Sequence, residues 1–502
     1  MIFRYFKAAA IYGVVLTAFV GESVPTGLEA QATVPRTHDQ LTFEPLQFQP
    51  SGPEEYQIGP GVTVFLLEDH HLPLVSIFAR FRGGPVHFSL GDQGPAVAVP
   101  ILLRSGGTLT LPPDSVDKLL EFYSVETSFG RGGRTAFASM NTLTRHLDVG
   151  LDIWSDLIKN PAFDLAQVEV WRGQELDNLI RRRDDPTRLA VMKFNNLIFG
   201  DHPLGWELTA EDLEPDNLTP EILHRVHRMI FCPENLTLGI TGDVAWTEIR
   251  PKLERMFDRW PPCEGVLEDP PLPTFPASPG VYVLPKNIEQ STIIIGKPSD
   301  VQLTDDSRYF SSRIGNSILG GSGLTSRLAS RIRTQEGLAY SAASIWTTPV
   351  RSNGIIGAVT QTKSETTVAA LRLITEILGE MSSAPPEESE IRDVVSQVTN
   401  SFVFNFQSPA TIVSRQMLYL SQNLPLDWLS RYLKGIQGVT STSVHEVFRD
   451  NVPLNGLDEM VILIVGDPNA FDLGLDSFGP IQVLDTEDRE PDTSGDQTLI
   501  PT

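Results

Sequence analysis

Asn235–Val244 reads NLTLGITGDV, and Glu459–Pro468 reads EMVILIVGDP. Each is a run rich in β-branched residues and leucine that closes on Gly-Asp, and the two lie about 220 residues apart. The segments ahead of them recur in the same order. In the first half, Gly61–Asp69, Leu72–Gly84 and Phe137–Thr144 read as strands, followed by a helix that places Leu147, Leu151, Trp154 and Ile158 on one face. A later helix starts with Thr219 as N-cap and Pro220 in its first turn. In the second half, Gly280–Pro285, Ser291–Pro298 and Gly354–Thr360 read as strands. Helical patterns lie around Arg308–Leu319 and along Val368, Leu371, Ile374, Leu378 and Met381. The expected fold class is α+β, built from a duplicated unit.

The boundary between the copies is PPCEGVLEDPPLPTFPASPG, whose prolines forbid a helix or a central strand. With 502 residues the chain exceeds one ordinary core. The expected division is a signal peptide over 1–32, an extension over 33–54, a first domain over 55–260, a linker over 261–279, a second domain over 280–480 and a polar acidic tail over 481–502. The signal peptide rests on Arg4 and Lys7, the apolar run Ala8–Val20 and small residues ending at Ala32. That run is short for a permanent membrane anchor, so the expectation is a soluble exported protein, periplasmic in a Gram-negative source. A net charge of −24 without a basic block argues against nucleic acid. Cys232 and Cys263 are the only cysteines, and export permits them to pair without requiring it.

One segment carries no chemistry where chemistry is expected. Pro95–Leu103, inside GPAVAVPILLRSGGT (Gly94–Thr108), has no side chain that titrates or donates. Together with Leu72–Gly84, Leu179–Gly205, Phe231–Val244 and LGGSGLTSRLASRIRTQEGLAYS (Leu319–Ser341), it resembles the M16 family of zinc peptidases (insulinase, pitrilysin and mitochondrial-processing-peptidase relatives), in its bacterial two-domain branch. The resemblance covers roughly residues 55 to 470. It implies two homologous domains of the LuxS/MPP-like metallohydrolase type, each a mostly antiparallel sheet packed with helices.

In that family H-x-x-E-H supplies two zinc-binding imidazoles and a general base, and a later Glu completes the site. Set in register, the two His positions fall on Val97 and Ile101, the Glu on Pro100, and the later Glu on Asn178. None of the four has the required chemistry. A shift of register does not help the first three, because no His or Glu lies between His87 and Glu121; beside Asn178, a small slip reaches Glu175 or Asp177. The resemblance therefore implies no zinc in this chain. Pro100 also predicts a helix that begins late or bends near Ala96–Val99.

Arg333 and Tyr340 match the family's arginine/tyrosine pair, which holds the substrate carbonyl and its developing oxyanion across the cleft from zinc. Read without the family, Arg333 pairs with Glu336 and Tyr340 is a strand aromatic. Gly320, Gly321 and Gly323 form a glycine-rich turn that either approaches substrate or only enters a helix. His224 and His227, after Glu221, offer a metal pair as an alternative to a plain polar helix face. Asp69, His70 and His71 read as a solvated loop.

The expected function is the non-catalytic subunit of a heterodimeric peptidase. Its partner is an M16 chain with intact H-x-x-E-H and zinc, and its substrate is a peptide. The alternative is a catalytically inert peptide-binding or scaffold protein.

Overall fold

The computed structural model describes residues 52–59, 61–452 and 459–485. The expected signal peptide, most of the extension and most of the acidic tail lie outside the described residues. All that is described belongs to one structural unit beginning at Phe48.

Strands β1 (Glu54–Ile58), β2 (Val62–Glu68), β3 (Leu74–Arg82), β4 (Glu126–Arg131), β5 (Thr135–Leu143) and β6 (Leu236–Gly242) form the first sheet, in the order β1-β2-β6-β3-β5-β4. Strands β7 (Gly280–Pro285), β8 (Gln290–Ser299), β9 (Ala339–Trp346), β10 (Gly354–Lys363), β11 (Val461–Gly466) and β12 (Ile481–Val483) form the second, in the order β12-β7-β11-β8-β10-β9. In each sheet the Gly-Asp strand sits inside, parallel to one neighbour and antiparallel to the other. Apart from the outermost β1 and β12, the two orders coincide. The duplication read from the two Gly-Asp segments is the architecture.

The recurring glycine is crowded in both copies, by backbone at Gly242, whose φ is +122°, and by a serine side chain at Gly466. A Cβ on Gly242 would lie 2.0 Å from the Leu74 carbonyl oxygen, and one on Gly466 would lie 2.4 Å from Ser291 Oγ. In each sheet the end of this inner strand runs against the start of its antiparallel neighbour, and at Gly242 only hydrogen fits between.

Two features differ from the sequence reading. β12 lies within the segment expected to be a polar tail and pairs in parallel with β7. The halves also exchange helices. Helix Pro186–Phe199, from the first half, packs Leu189, Phe194 and Ile198 with Ile294, Ile355, Val461 and Val465 of the second sheet. Helix Pro409–Ser421, from the second half, packs Val413 and Met417 on Phe65 of the first. Each half therefore covers the face of the other's sheet that lies opposite that sheet's main core.

The proline-rich linker is a pinned strap. Cys263 forms a disulfide with Cys232, Leu267 is buried, and the Pro271 carbonyl oxygen meets His202 Nε2 at 2.9 Å. Asp269 gathers side chains from both halves: Arg134 at 2.9 Å, His87 at 3.2 Å, Arg82 at 3.5 Å and, from the β9–β10 turn, Arg351 at 2.7 Å. Burial works to raise the Asp269 pKa, but the bonds from His87 and Arg351 and the nearby Arg82 charge outweigh it and hold the carboxyl below its usual value. A lowered folded-state pKa means stability that is complete above the ordinary carboxylate range and lost as pH falls through the lowered value. Asp269→Asn is expected to cost about 1–2 kcal/mol at neutral pH, since the site is partly solvated. In urea titrations the variant should also lose less stability than the native chain on acidification.

Candidate functional site

Helix Gln93–Ser105 carries Val97, Pro100 and Ile101, the residues that the resemblance sets against the zinc motif. It is unbroken from Gln93 through Pro100, so it does not begin late as Pro100 suggested. Packing accounts for the continuity. Ala96, Val97, Ala98, Val99, Leu102 and Leu103 are all buried, and Gln93 Nε2 donates to the carbonyls of Pro85, Phe88 and Ser89 at the start. Val97 and Pro100 are buried, whereas Ile101 is 37% exposed. Ile101 is thus an apolar side chain reaching solvent.

Asn178 lies on helix Leu165–Asp184, which packs against helix Gln93–Ser105. Its Nδ2 donates to Glu175 Oε2 at 3.1 Å, and its Oδ1 accepts from Arg181 Nη2 at 2.7 Å. Glu175, the carboxylate that a slip of register would recruit, accepts from Arg182. Arg131, at the end of β4, belongs to the same group; burial lowers its pKa, the Glu175 charge opposes that, and Arg182 adds to it. Zinc requires a cluster of lone pairs, and this region offers apolar groups plus a carboxylate already flanked by guanidinium charge. The residues present do not fit the ion.

The other metal candidates are committed elsewhere. A ring nitrogen of buried His227 lies 2.7 Å from the Ile158 carbonyl oxygen, and burial, the dominant cause, lowers its pKa to about 4. His224 meets Phe163 edge-on at 5.0 Å between ring centroids. His70 bonds Asp243 at 2.8 Å while His71 bonds Asp69, so the adjacent imidazoles serve different carboxylates. Cys232, Glu234 and Cys263 cluster within ligand distance, but both sulfurs are used in the disulfide.

The arginine/tyrosine pair is assembled by irregular backbone. Ser317–Gly321 and Ala329–Gln335 are π-helical turns, a rare geometry that recurs at functional sites. Arg327 binds Glu390 through two bonds of 2.9 and 2.7 Å, and Arg331 spans Glu376 and Glu380 at 2.9 and 2.6 Å. These anchors fix the second turn and leave Arg333 against Tyr340, with its guanidinium carbon 4.7 Å from the ring centroid. Along β9, Ser341 pairs with Gln361 and Ala339 with Thr362, so Tyr340 is the extra residue of a bulge. A bulge re-aims a side chain, and Tyr340 is 82% exposed. Among the described residues Arg333 makes no ion pair with Glu336.

The glycines divide by position. A Cβ on Gly320 would lie 2.2 Å from the Ser344 backbone nitrogen, so this glycine lets the π-helical turn touch β9. Gly321 is confined by Asn316 at 3.1 Å, whereas Gly323 sits in open space with φ +67°. Missing from the sequence reading are Arg131 and Arg182 around Glu175, and the bulge at Tyr340. The run RRRDD marks Arg182 as a surface cation only, and nothing local ties Arg131 to it.

Comparison with known proteins bears on the fold. Residues 217–398 match a family model described as Peptidase M16 inactive domain. The chain is 23% identical over 409 residues to the non-peptidase homolog YmxG of Helicobacter pylori, covering 80% of this chain and 91% of that one. It is 26% identical over 321 residues to an uncharacterized zinc protease of Streptomyces coelicolor, covering 61% of this chain and 67% of that one. Among solved structures, a peptidase M16 inactive domain from Pseudomonas fluorescens superposes with a TM-score of 0.73 at 21% identity, over 83% of this chain and 98% of that one. A protease from Helicobacter pylori superposes at 0.72 and 16% identity, over 84% and 100%. The fold is that of the two-domain M16 proteins. Residues 217–398 are similar to the M16 inactive domain, and the sequence contains no H-x-x-E-H.

Proposed function

We propose that this chain is the non-catalytic subunit of a two-chain M16-type zinc peptidase, exported from the cytoplasm. It lends Arg333 and Tyr340 to a partner that carries H-x-x-E-H and zinc. The observation that carries this reading is half-buried Arg333 held over exposed Tyr340, in a chain where Val97, Pro100, Ile101 and Asn178 stand at the positions set against the zinc motif. A guanidinium and a phenol held at fixed spacing donate hydrogen bonds to a peptide carbonyl oxygen as negative charge develops on it. The partner's residues hold the zinc and activate water. The disulfide supports export, because such bonds persist in oxidising compartments. Among the described residues no helix is long and apolar enough to cross a membrane.

The second reading, an inert peptide-binding or scaffold protein, draws on the non-peptidase name of the Helicobacter relative. One experiment separates the two. The chain is mixed with the zinc-bearing M16 chain of the same genome, and cleavage of an unstructured peptide is followed. The subunit reading expects the mixture to exceed the partner alone; equal rates overturn it.

A further inference from the structure

Helix Pro409–Ser421 lies on β2, β6 and part of β3, on the face of the first sheet turned away from its own core. Beyond that helix the same face carries rows of side chains from β3, β5 and β4. Arg80 is paired in register with Phe137, and Phe137 with Gly130. The next row pairs Phe78 with Ser139 and Ser139 with Ser128. Phe137 is 42% exposed, and Ser128 is exposed. The Phe137 ring lies over Gly130, where a Cβ would meet it at 2.4 Å, so the aromatic leans toward the edge strand and away from Arg80.

Arg80 is half-buried, and among the described residues it has neither an ion pair nor a side-chain hydrogen bond. Burial alone acts on it and lowers its pKa. Arg82, two residues along on the same face, has only a 3.5 Å contact with Asp269, which Arg134 and Arg351 hold more closely. In a chain with 63 acidic and 39 basic side chains, counter-ions are abundant, yet Arg80 faces an open sheet without one and Arg82 shares one. Half-burying a charge is unfavourable unless a partner arrives. Glu126, paired with Asn141 two rows from Arg80, puts a carboxylate at the far end of the same face, so the strip is positive at one end and negative at the other.

We propose that this face of the first sheet binds an extended, acidic peptide segment, with carboxylates of the peptide paired to Arg80 and Arg82. Phe137 supplies the apolar contact, and Ser128 and Ser139 bond the peptide's polar groups. The strip gives the chain a preference for acidic sequences that operates apart from any partner's chemistry. That the ligand is a peptide rests on the function proposed above, whereas the carboxylate preference rests on Arg80 and Arg82.

The test is fluorescence anisotropy on the full, disulfide-bonded chain without a partner. Three labelled peptides of equal length are used: one rich in Glu, the same peptide with an amidated C-terminus, and a Gln-for-Glu version. The expected result is salt-sensitive binding of both Glu peptides, about tenfold tighter than the Gln peptide. If amidation alone abolishes binding, the terminal carboxylate is the bound group and the proposed side-chain pairing is overturned. Arg80→Met, which keeps the aliphatic stem, should remove the preference, and Arg80→Lys should retain it. Equal binding of Glu and Gln peptides, or Arg80→Met binding like the native chain, overturns the proposal. Because the lone chain is measured, this outcome is independent of whether a partner's activity is raised.

Discussion

Arg333→Ala is expected to lower kcat/KM of the proposed two-chain peptidase, once reconstituted, by about 100- to 1000-fold, the usual effect of removing one fixed donor to a developing oxyanion. The loss should fall on kcat, because the hydrogen bond strengthens as charge appears in the transition state. Tyr340→Phe should cost less, since the ring that holds the Arg333 guanidinium at 4.7 Å is retained. The double variant should cost less than the sum of the two, because each side chain positions the other. Folding should be unaffected: Tyr340 is exposed, and the turn bearing Arg333 is anchored by Arg327 and Arg331. Thermal melting of the lone chain and the zinc content of the partner serve as controls. Undiminished turnover by Arg333→Ala, with both chains assembled, would refute the assigned role.

The strands and the duplication are legible in the sequence because their causes are local. β3 alternates buried and half-buried residues along most of its length, and β11 is buried throughout, which is how a half-covered and a fully covered strand read in sequence. The repeated Gly-Asp endings are legible for a physical reason: both glycines crowd the start of a neighbouring strand, Gly242 against the Leu74 carbonyl and Gly466 against Ser291. β4 escapes such a reading, as ETSFGR is polar, glycine-containing and at a sheet edge. The helix exchange is equally hidden. Leu189, Phe194, Val413 and Met417 form apolar faces that predict burial without saying against which half.

At the site, residue type alone shows that Val97, Pro100 and Ile101 offer no metal ligand. The placement of Tyr340 is not, since a bulge is set by pairing across β9 and β10. The network around Glu175 joins β4 to a helix well further along the chain, and no local pattern encodes that contact.

Cys232→Ala/Cys263→Ala is expected to cost about 3–4 kcal/mol, following the loop-entropy relation for cysteines 31 residues apart. The bond ties the segment after helix Pro220–Ile230 to the start of the strap, so the penalty has a definite location. Without it, residues 263–279 are held by Leu267, the His202 contact at Pro271 and the Asp269 cluster. Those contacts include Arg351 from the second half, and a strap released at Cys263 weakens the hold between the halves as well as the first core. Urea midpoints should therefore fall, and proteolytic nicking within the strap should accelerate. A reducing agent should reproduce both effects in the native chain and do nothing further to the variant. Equal midpoints for the native and substituted chains under oxidising conditions would show that the remaining strap contacts suffice, and the staple assigned to Cys232 and Cys263 would fall.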